Sequence, residues 1–493
     1  MTTAPTTGRR VGRTRRRPKG AGVVSVVLLA IIGVAGLDAV LAVRQDAAKP
    51  GLPGESARQT LVPVLSVRRV PDVIIRAVGR QRLRDRLDEA LADPTIAEAL
   101  PQSCLTASSG GVSLFEFHPH LAVIPASTIK TLTAVGVFAH VRPDETLRTS
   151  LRASVAPSGG VVRGDLWLVG GGDPLLATKD YLATFERQPQ LATPFEDLVA
   201  SLADAGVTRI TGRVIGDDRR YDDQRTIPTW KQSYSTSGEV GPLSALAVND
   251  GFTDGDGTAR KASADPAKGA ASLLTRLLQD RGISVSGKAS SARELQLGAV
   301  DAVAPFEIAA VDSLPAQVIV TEMLQESDNT TAELLLKEIG FRATGTGTTA
   351  AGTGAVRTAL NARGLDPAGL SSIDGSGLDR GDRATCALLM GAISSDRVDG
   401  PLVSGLAVAG TSGTLRKRLA DSPLAGNLRA KTGTLNGVSG LVGTLTSARG
   451  GRIDFASVFN GLASSDFGVI AANRIAEILY AYPDVPAAIG IAP

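Results

Sequence analysis

The sequence predicts an α+β fold in which an antiparallel sheet is flanked by helices and a large α+β insertion interrupts the chain. Three observations carry this. A helical apolar run, Thr131-Leu132-Thr133-Ala134-Val135-Gly136-Val137-Phe138, follows Ile124-Pro125-Ala126-Ser127-Thr128-Ile129-Lys130 early in the chain. Three strand candidates, Leu428–Thr432, Val438–Thr446 and Ile453–Asn460, lie close together near the C-terminus with short Gly-containing turns, and a helix over about Asp466–Tyr480 follows them. Between these ends, from about Thr149 to Pro315, the character changes to short β-like runs broken by Gly and Asp turns. Early helix and late sheet then belong to one core, and the middle is an excursion from it.

Length and composition agree. A chain of 493 residues is too long for one ordinary domain, and 43% hydrophobic against 20% charged residues is a globular balance. The formal charge of +3 comes largely from Arg9, Arg10, Arg13, Arg15, Arg16, Arg17 and Lys19, so the body is close to neutral and no nucleic-acid partner is expected. That basic head precedes an apolar run from Ala21 to Leu37, extendable to Val43. Its length falls between a signal-peptide core and the ~20 residues that span a bilayer, and the expectation is an uncleaved anchor with its basic end inside, cleavage after Val40-Leu41-Ala42 being the alternative. The resulting plan is a basic head over 1–20, a signal or anchor helix over 21–43, a Pro/Gly linker over 44–75, a main body over 76–148 and 315–493, and an inserted α+β unit over 149–314.

In chain order, an amphipathic helix is expected over about Ile75–Leu100. Two strands around the turn Ser108-Ser109-Gly110-Gly111 follow, and then the Ser127 helix. In the insertion, Gly164–Val169 and Arg209–Ile215 read as strands, and about Pro194–Ala205 and Ala271–Arg281 as helices. Beyond it, helices are expected over about Pro315–Ile339 and Ala351–Arg363, joined by Thr344-Gly345-Thr346-Gly347-Thr348-Thr349, a glycine-rich loop without the Gly-Lys-Ser/Thr ending of a phosphate-binding loop. Cys104 and Cys386 fit an exported chain, either paired with each other or as two buried thiols.

Ser127 and Lys130 are three residues apart at a helix start. Such side chains share a helix face with Cβ atoms roughly 5–6 Å apart, so the amine can reach the hydroxyl and serve as base to its nucleophile. Ser327-Asp328-Asn329 stands at the start of a second helix, where it would also serve as an N-cap. Lys431-Thr432-Gly433-Thr434 enters the C-terminal strands.

In this order the three elements are the Ser-x-x-Lys, Ser-Asp-Asn, Lys-Thr-Gly set of β-lactamases and penicillin-binding proteins. With 200 positions between Ser127 and Ser327, the chain resembles the class C low-molecular-mass penicillin-binding proteins, the D-alanyl-D-alanine carboxypeptidase/endopeptidase group. Flanking stretches support the resemblance: Gly170-Gly171-Gly172-Asp173-Pro174-Leu175, Ala245–Asp250, Asp374–Arg380 and Ser412-Gly413-Thr414-Leu415. It implies a β-lactamase/transpeptidase-like fold from about Leu83 to Tyr480, and an acyl-enzyme formed on Ser127 from peptidoglycan stem peptides or β-lactams. Lys130 would be the base and Ser327 a hydroxyl relay. Asn329 would bind the substrate amide, Lys431 and Thr432 its terminal carboxylate, and Gly433 would allow close approach. The N–H groups of Ser127 and Thr434 would form the oxyanion hole. Asp173 and Arg380 would clamp the zwitterionic end of a diaminopimelate side chain. Burial and a cationic Lys431 would together bring Lys130 down from its usual ~10.4.

No cofactor or metal is expected. His118, His120 and His140 are the only histidines, and no Gly-x-Ser-x-Gly elbow accompanies them, which disfavours a Ser-His-Asp hydrolase or a zinc site. A β-lactamase and a catalytically silent envelope scaffold on the same fold are the remaining alternatives. The long insertion and basic apolar head weigh against the first, and the intact polar set against the second.

Overall fold

The late strands and the early hairpin meet in one sheet. A computed structural model describes residues 70–185, 188–253, 261–298 and 304–484, with a compact unit over Val78–Asp484. The basic head and the apolar 21–43 segment lie outside the described residues. Of the expected linker, 70–75 are described and are helical: α1 runs Val70–Leu91. Pro71 falls in its first turn, where a missing N–H costs no hydrogen bond. The helix ends short of the expected Leu100 because Asp93 precedes Pro94, and a separate 3-10 turn covers Ala97–Gln102.

Strands β1 (Cys104–Ser109), β2 (Val112–Phe117), β3 (Ala407–Val408), β4 (Leu428–Leu435), β5 (Val438–Thr446) and β6 (Arg452–Asn460) form an antiparallel sheet in the order β3-β4-β5-β6-β1-β2. Gly110 and Gly111, at φ of 56° and 78°, make the two-residue turn between β1 and β2, a conformation whose twist matches paired strands. Adjacent side chains on a strand point to opposite faces, and both faces are covered: Val442 packs among helices with Leu132, Val135 and Leu336, whereas Leu441 packs with Leu87, Ile475 and Leu479. The helix α2 (Lys130–His140) is buried on every side from Lys130 to Val137, so it is the central helix of the body.

Around α2 lie α3 (Ala316–Gln325), α4 (Asn329–Thr344), α5 (Thr349–Ala362) and α6 (Cys386–Ser394), and α7 (Ser465–Tyr480) packs against the far face of the sheet. The helical stretch expected over Pro315–Ile339 is divided in two at the second motif, where a helix start was expected. Ser327 adopts φ of 63° and Asp328 caps α4 by accepting from Thr331 N at 3.1 Å, so the chain turns where the second motif stands.

The excursion between the first and second motifs has its own core around Leu151, Leu168, Val214, Leu202 and Leu274. Its five-stranded sheet places Arg148–Ala153 against Phe306–Asp312 in antiparallel register, Arg148 opposite Asp312, so the strands that enter and leave the excursion are neighbours.

Cys104 on β1 and Cys386 at the start of α6 form a disulfide with Cα atoms 5.9 Å apart, 282 positions apart in sequence. Closing so long a loop restricts the unfolded chain, so replacing both cysteines by serine should lower unfolding stability by about 2–5 kcal/mol. A chemical-denaturation midpoint unchanged from the parent would refute that expectation.

Candidate active site

Ser127 lies in a single 3-10 turn, Ala126–Ile129, that leads directly into α2. Lys130, first residue of α2 and fully buried, donates from Nζ to Ser127 Oγ at 3.0 Å, Asn329 Oδ1 at 2.7 Å and the Ser376 carbonyl at 2.7 Å. The turn is braced by Gly377, whose φ is 83° and whose hypothetical Cβ would sit 2.1 Å from Ala126 O and 3.0 Å from Ser127 N. Gly377→Ala must therefore displace either its own loop or the Ser127 turn. The variant should fold yet acylate about 10²-fold more slowly, the cost expected when a reacting atom moves by about 1 Å. Stopped-flow acylation at the parent rate would show that the contact is not limiting.

The second and third motifs form a matching pair. Ser327, raised on its left-handed turn, accepts from Lys431 Nζ at 2.9 Å, and Lys431 also donates to Thr432 O at 2.9 Å. As an acceptor from Lys431, the Ser327 hydroxyl keeps its own hydrogen to donate elsewhere. Thr432 Oγ1 bonds Thr414 Oγ1 at 2.9 Å, and Asn329 Nδ2 donates to the Glu239 carbonyl of the excursion at 2.9 Å. The structure thus gathers the motif residues into two hydrogen-bonded groups, Ser127–Lys130–Asn329 and Ser327–Lys431, close enough for the two lysines to act on each other's charge, with Thr432 beside them.

Lys431–Thr434 sit on β4 beyond the reach of β3, which pairs only with Ala430 and Arg429. Among the described residues no strand pairs with that side, and an extended peptide can add to it by main-chain hydrogen bonds. Gly433 lies so close to the Ser127 turn that a Cβ would stand 2.8 Å from Pro125 O and 3.0 Å from Thr128 N. Close approach is required of Gly433 by the protein's own packing. Thr434 follows it and pairs with Ser439 of β5.

The electrostatics differ from the sequence expectation in one respect. Burial brings the Lys130 ammonium down to about 8, against Asp374, Glu333, Asp328 and Asp382, whose charges favour the cation. Lys431 is held well below the ordinary lysine range by burial and then by the charge of Lys130. The expected effect of a cationic Lys431 on Lys130 therefore runs the other way: Lys130 has four carboxylates around it, whereas Lys431 has the single opposing charge of Glu326. Two buried amines in one cluster disfavour each other's charge, and the one with fewer acids yields first. Since the neutral fraction of Lys130 increases tenfold per pH unit below about 8, acylation by a β-lactam should rise with pH and level off above about 8. A rate independent of pH between 6 and 9 would contradict this.

A cavity of about 390 Å3 adjoins the cluster, with Ser327, Asn329 and Glu239 on one wall and Pro174, Leu175 and Tyr181 on another. Asp173, next to cavity-lining Pro174, and Arg380 are the residues expected to hold the two ends of a diaminopimelate side chain. Asp173 is buried and its Oδ1 accepts from Leu175 N at 2.9 Å, an Asx turn that folds the carboxylate onto its own backbone, while burial raises it to about 6. Arg380 is exposed and donates to Asn436 O at 2.9 Å. No hydrogen bond or ion pair joins them among the described residues. Three participants escaped the sequence reading: the Ser376 carbonyl, the Glu239 carbonyl and Glu333, the last signalled only by an acid in the apolar stretch Ala332–Leu336, four positions after Asn329. His118 stacks on Phe117 and contacts Ser103 O at 3.2 Å, away from the cluster.

The model of the D-Ala-D-Ala carboxypeptidase 3 (S13) family matches residues 83–262 and 254–479. The chain belongs to that family. It is a serine peptidase of the carboxypeptidase type on a penicillin-binding-protein fold. Similar curated proteins include a D-alanyl-D-alanine carboxypeptidase of an Actinomadura species, 26% identical over 77% of this chain and 81% of the relative. The carboxypeptidase DacB of Mycolicibacterium smegmatis is 29% identical over 95% of this chain and 98% of the relative. Among solved structures, penicillin binding protein 4 of Haemophilus influenzae superposes with a TM-score of 0.65 at 20% identity, covering 78% of this chain and 98% of that one. It has also been solved with a β-lactam. The fold of this carboxypeptidase-family chain is therefore the expected β-lactamase/transpeptidase-like one, and the Ser-His-Asp alternative is set aside.

Proposed function

We propose that this carboxypeptidase acts on peptidoglycan stem peptides ending in D-alanyl-D-alanine, or on D-amino-acid cross-links between them, through an acyl-enzyme on Ser127, and that β-lactams acylate the same serine. The observation that carries the reading is the pairing of each half-buried serine with a fully buried lysine, Ser127 with Lys130 and Ser327 with Lys431, beside a strand edge that β3 leaves unpaired.

In the proposed sequence, neutral Lys130 takes the Ser127 hydroxyl proton as Oγ bonds to the D-alanyl carbonyl carbon. The developing oxyanion is held by the N–H groups of Ser127 and Thr434. The C–N bond breaks as the Ser327 hydroxyl protonates the departing amine, and Ser327 is reprotonated from the lysine cluster. Water, guided by Lys130 or Ser327, then gives one proton to the lysines as its oxygen bonds to the acyl carbon; the bond from that carbon to Ser127 Oγ breaks and the proton returns to Oγ. Asn329 orients the substrate amide. The terminal carboxylate meets Thr432 and Lys431, whose proton uptake it favours. Exposed Arg380 is assigned to the carboxylate, and Asp173 to the amine, of the zwitterionic end of a third-residue diaminopimelate side chain. The body is assigned to 76–148 and 315–493 and the inserted unit to 149–314, and the basic, apolar N-terminal segment supports a position at the outer face of a membrane. Among the described residues no helix is long and apolar enough to cross a membrane.

Incubating purified protein with uncross-linked pentapeptide and cross-linked dimeric muropeptides tests the reading. Free D-alanine from the first, or monomers from the second, is expected, and both are to vanish after β-lactam treatment. Intact muropeptides together with no serine-linked penicillin adduct would overturn it.

A further inference from the structure

Glu333 is out of place in α4. Its side chain is 0% exposed among Ala332, Leu334, Leu335 and Leu336, where an apolar residue of similar volume would avoid the cost of desolvating a carboxylate. It stands one turn along the helix from Asn329, on the same face. Its Oε1 accepts from Gly375 N at 2.9 Å and from Ser376 N at 2.7 Å. The carbonyls of those two residues point the other way, towards α2: Gly375 O accepts from Thr133 Oγ1 at 2.8 Å and Ser376 O from Lys130 Nζ at 2.7 Å. The segment is therefore held from both sides, with Glu333 on one and the base with its helix on the other. Gly375 is seated against Leu336, 3.1 Å from a hypothetical Cβ, so the segment also has little room to slide.

We propose that Glu333 is a positioning residue for acylation: by accepting both N–H groups of Gly375-Ser376 it fixes the Ser376 carbonyl as the third acceptor of Lys130, and so fixes the direction in which the amine faces Ser127 and Asn329. The proposal rests on Lys130 being the base. With one nitrogen valence held by Ser376 and another by Asn329, the remaining one is left for Ser127, which is the geometry proton abstraction needs. Other charged groups face Lys130 from neighbouring elements: Asp374 and Asp382 from the loop after Ile373, Asp328 at the cap of α4 and Lys431 from β4. Asp374 is held by Gly377 N, Asp379 N and Trp230 Nε1, and Asp382 by Ile373 N, so each acid anchors a different part of the loop.

Three variants of the full chain test it, each checked for fold by circular dichroism and thermal melting. Glu333→Gln keeps an oxygen acceptor in the same place. Glu333→Asp keeps the carboxyl group but draws the acceptor back by one methylene, and Glu333→Leu removes the group altogether. Single-turnover acylation by a fluorescent penicillin should fall about 10²-fold in Glu333→Leu and Glu333→Asp, with non-covalent penicillin affinity unchanged, and only a fewfold in Glu333→Gln. In Glu333→Leu the acid limb of the rate profile should also move to lower pH, because the ammonium loses the fixed Ser376 carbonyl acceptor that favours its cation; burial raises the Glu333 carboxyl itself to about 8, so its own charge adds little below that pH. Destabilisation alone would lower the amount of active enzyme without moving the limb. If Glu333→Leu does not fold, Glu333→Asp against Glu333→Gln decides: equal rates in the two would overturn the proposal, as would a folded Glu333→Leu that acylates like the parent. A parent protein that forms no Ser127 adduct would instead sink the functional reading on which the proposal depends.

Discussion

Ser127→Ala should abolish covalent labelling by a fluorescent penicillin and reduce D-alanine release by on the order of 10⁶-fold, the loss typical when a nucleophile acting with its base is removed. The change is small in structural terms. Lys130 keeps two of its three acceptors, Asn329 Oδ1 and Ser376 O, and the turn itself is set by Ala126 and Gly377 and not by the hydroxyl. The variant should therefore melt within a few degrees of the parent and still bind penicillin reversibly. Stoichiometric adduct on Ser127→Ala, located by peptide mass mapping on another residue, would remove Ser127 from the mechanism.

Lys130→Ala should slow acylation by about 10²–10⁴-fold, the usual contribution of a positioned general base. Because Lys130 is fully buried, the alanine also leaves a void and strips Asn329 Oδ1 and Ser376 O of their donor. Lys130→Met, which keeps most of the volume, separates loss of the base from loss of packing, and both variants should show the slow acylation. The low position of Lys431 gives this experiment its force. If Lys130→Met acylates as fast as the parent, the amine that loses its proton first is the working base, acting through Ser327. A strong loss assigns the role to Lys130.

Much of this site could be read from one-dimensional order. Ser127 and Lys130 are local partners, three positions apart, and their bond follows from helix geometry. Asp328 reads as a cap because its side chain serves the helix immediately after it. The late strands and the final helix are bounded by turns that the sequence displays, and their ends agree within a few residues. What stayed hidden depends on distant parts of the chain. The stretch Leu324-Gln325-Glu326-Ser327-Asp328 contains neither Gly nor Pro, so nothing in it announces the positive φ at Ser327, which tertiary packing imposes. Asp173 was legible as an acid next to a proline but not as one folded inward. Which lysine yields its proton first depends on burial and then on acids such as Asp374 and Glu333, more than 200 positions from Lys130. The two-residue strands of the excursion are too short to leave a periodic signal.

The pairing of Arg148–Ala153 with Phe306–Asp312 has an evolutionary corollary. Because the two junctions are neighbours, a single tight turn could reconnect them, and by topology alone the middle of the chain is removable cargo. The charges say otherwise. Lys337, wholly buried on α4, has its ion-pair partner in Asp222, and Glu338 is bridged to Arg220 at 2.7 Å. Excision would leave Lys337 a stranded cation in the protein interior, a defect of about 3–5 kcal/mol. A shortened descendant of this chain would have to neutralise position 337 before it could discard the excursion, so the order of the two genetic events is dictated by one ammonium group.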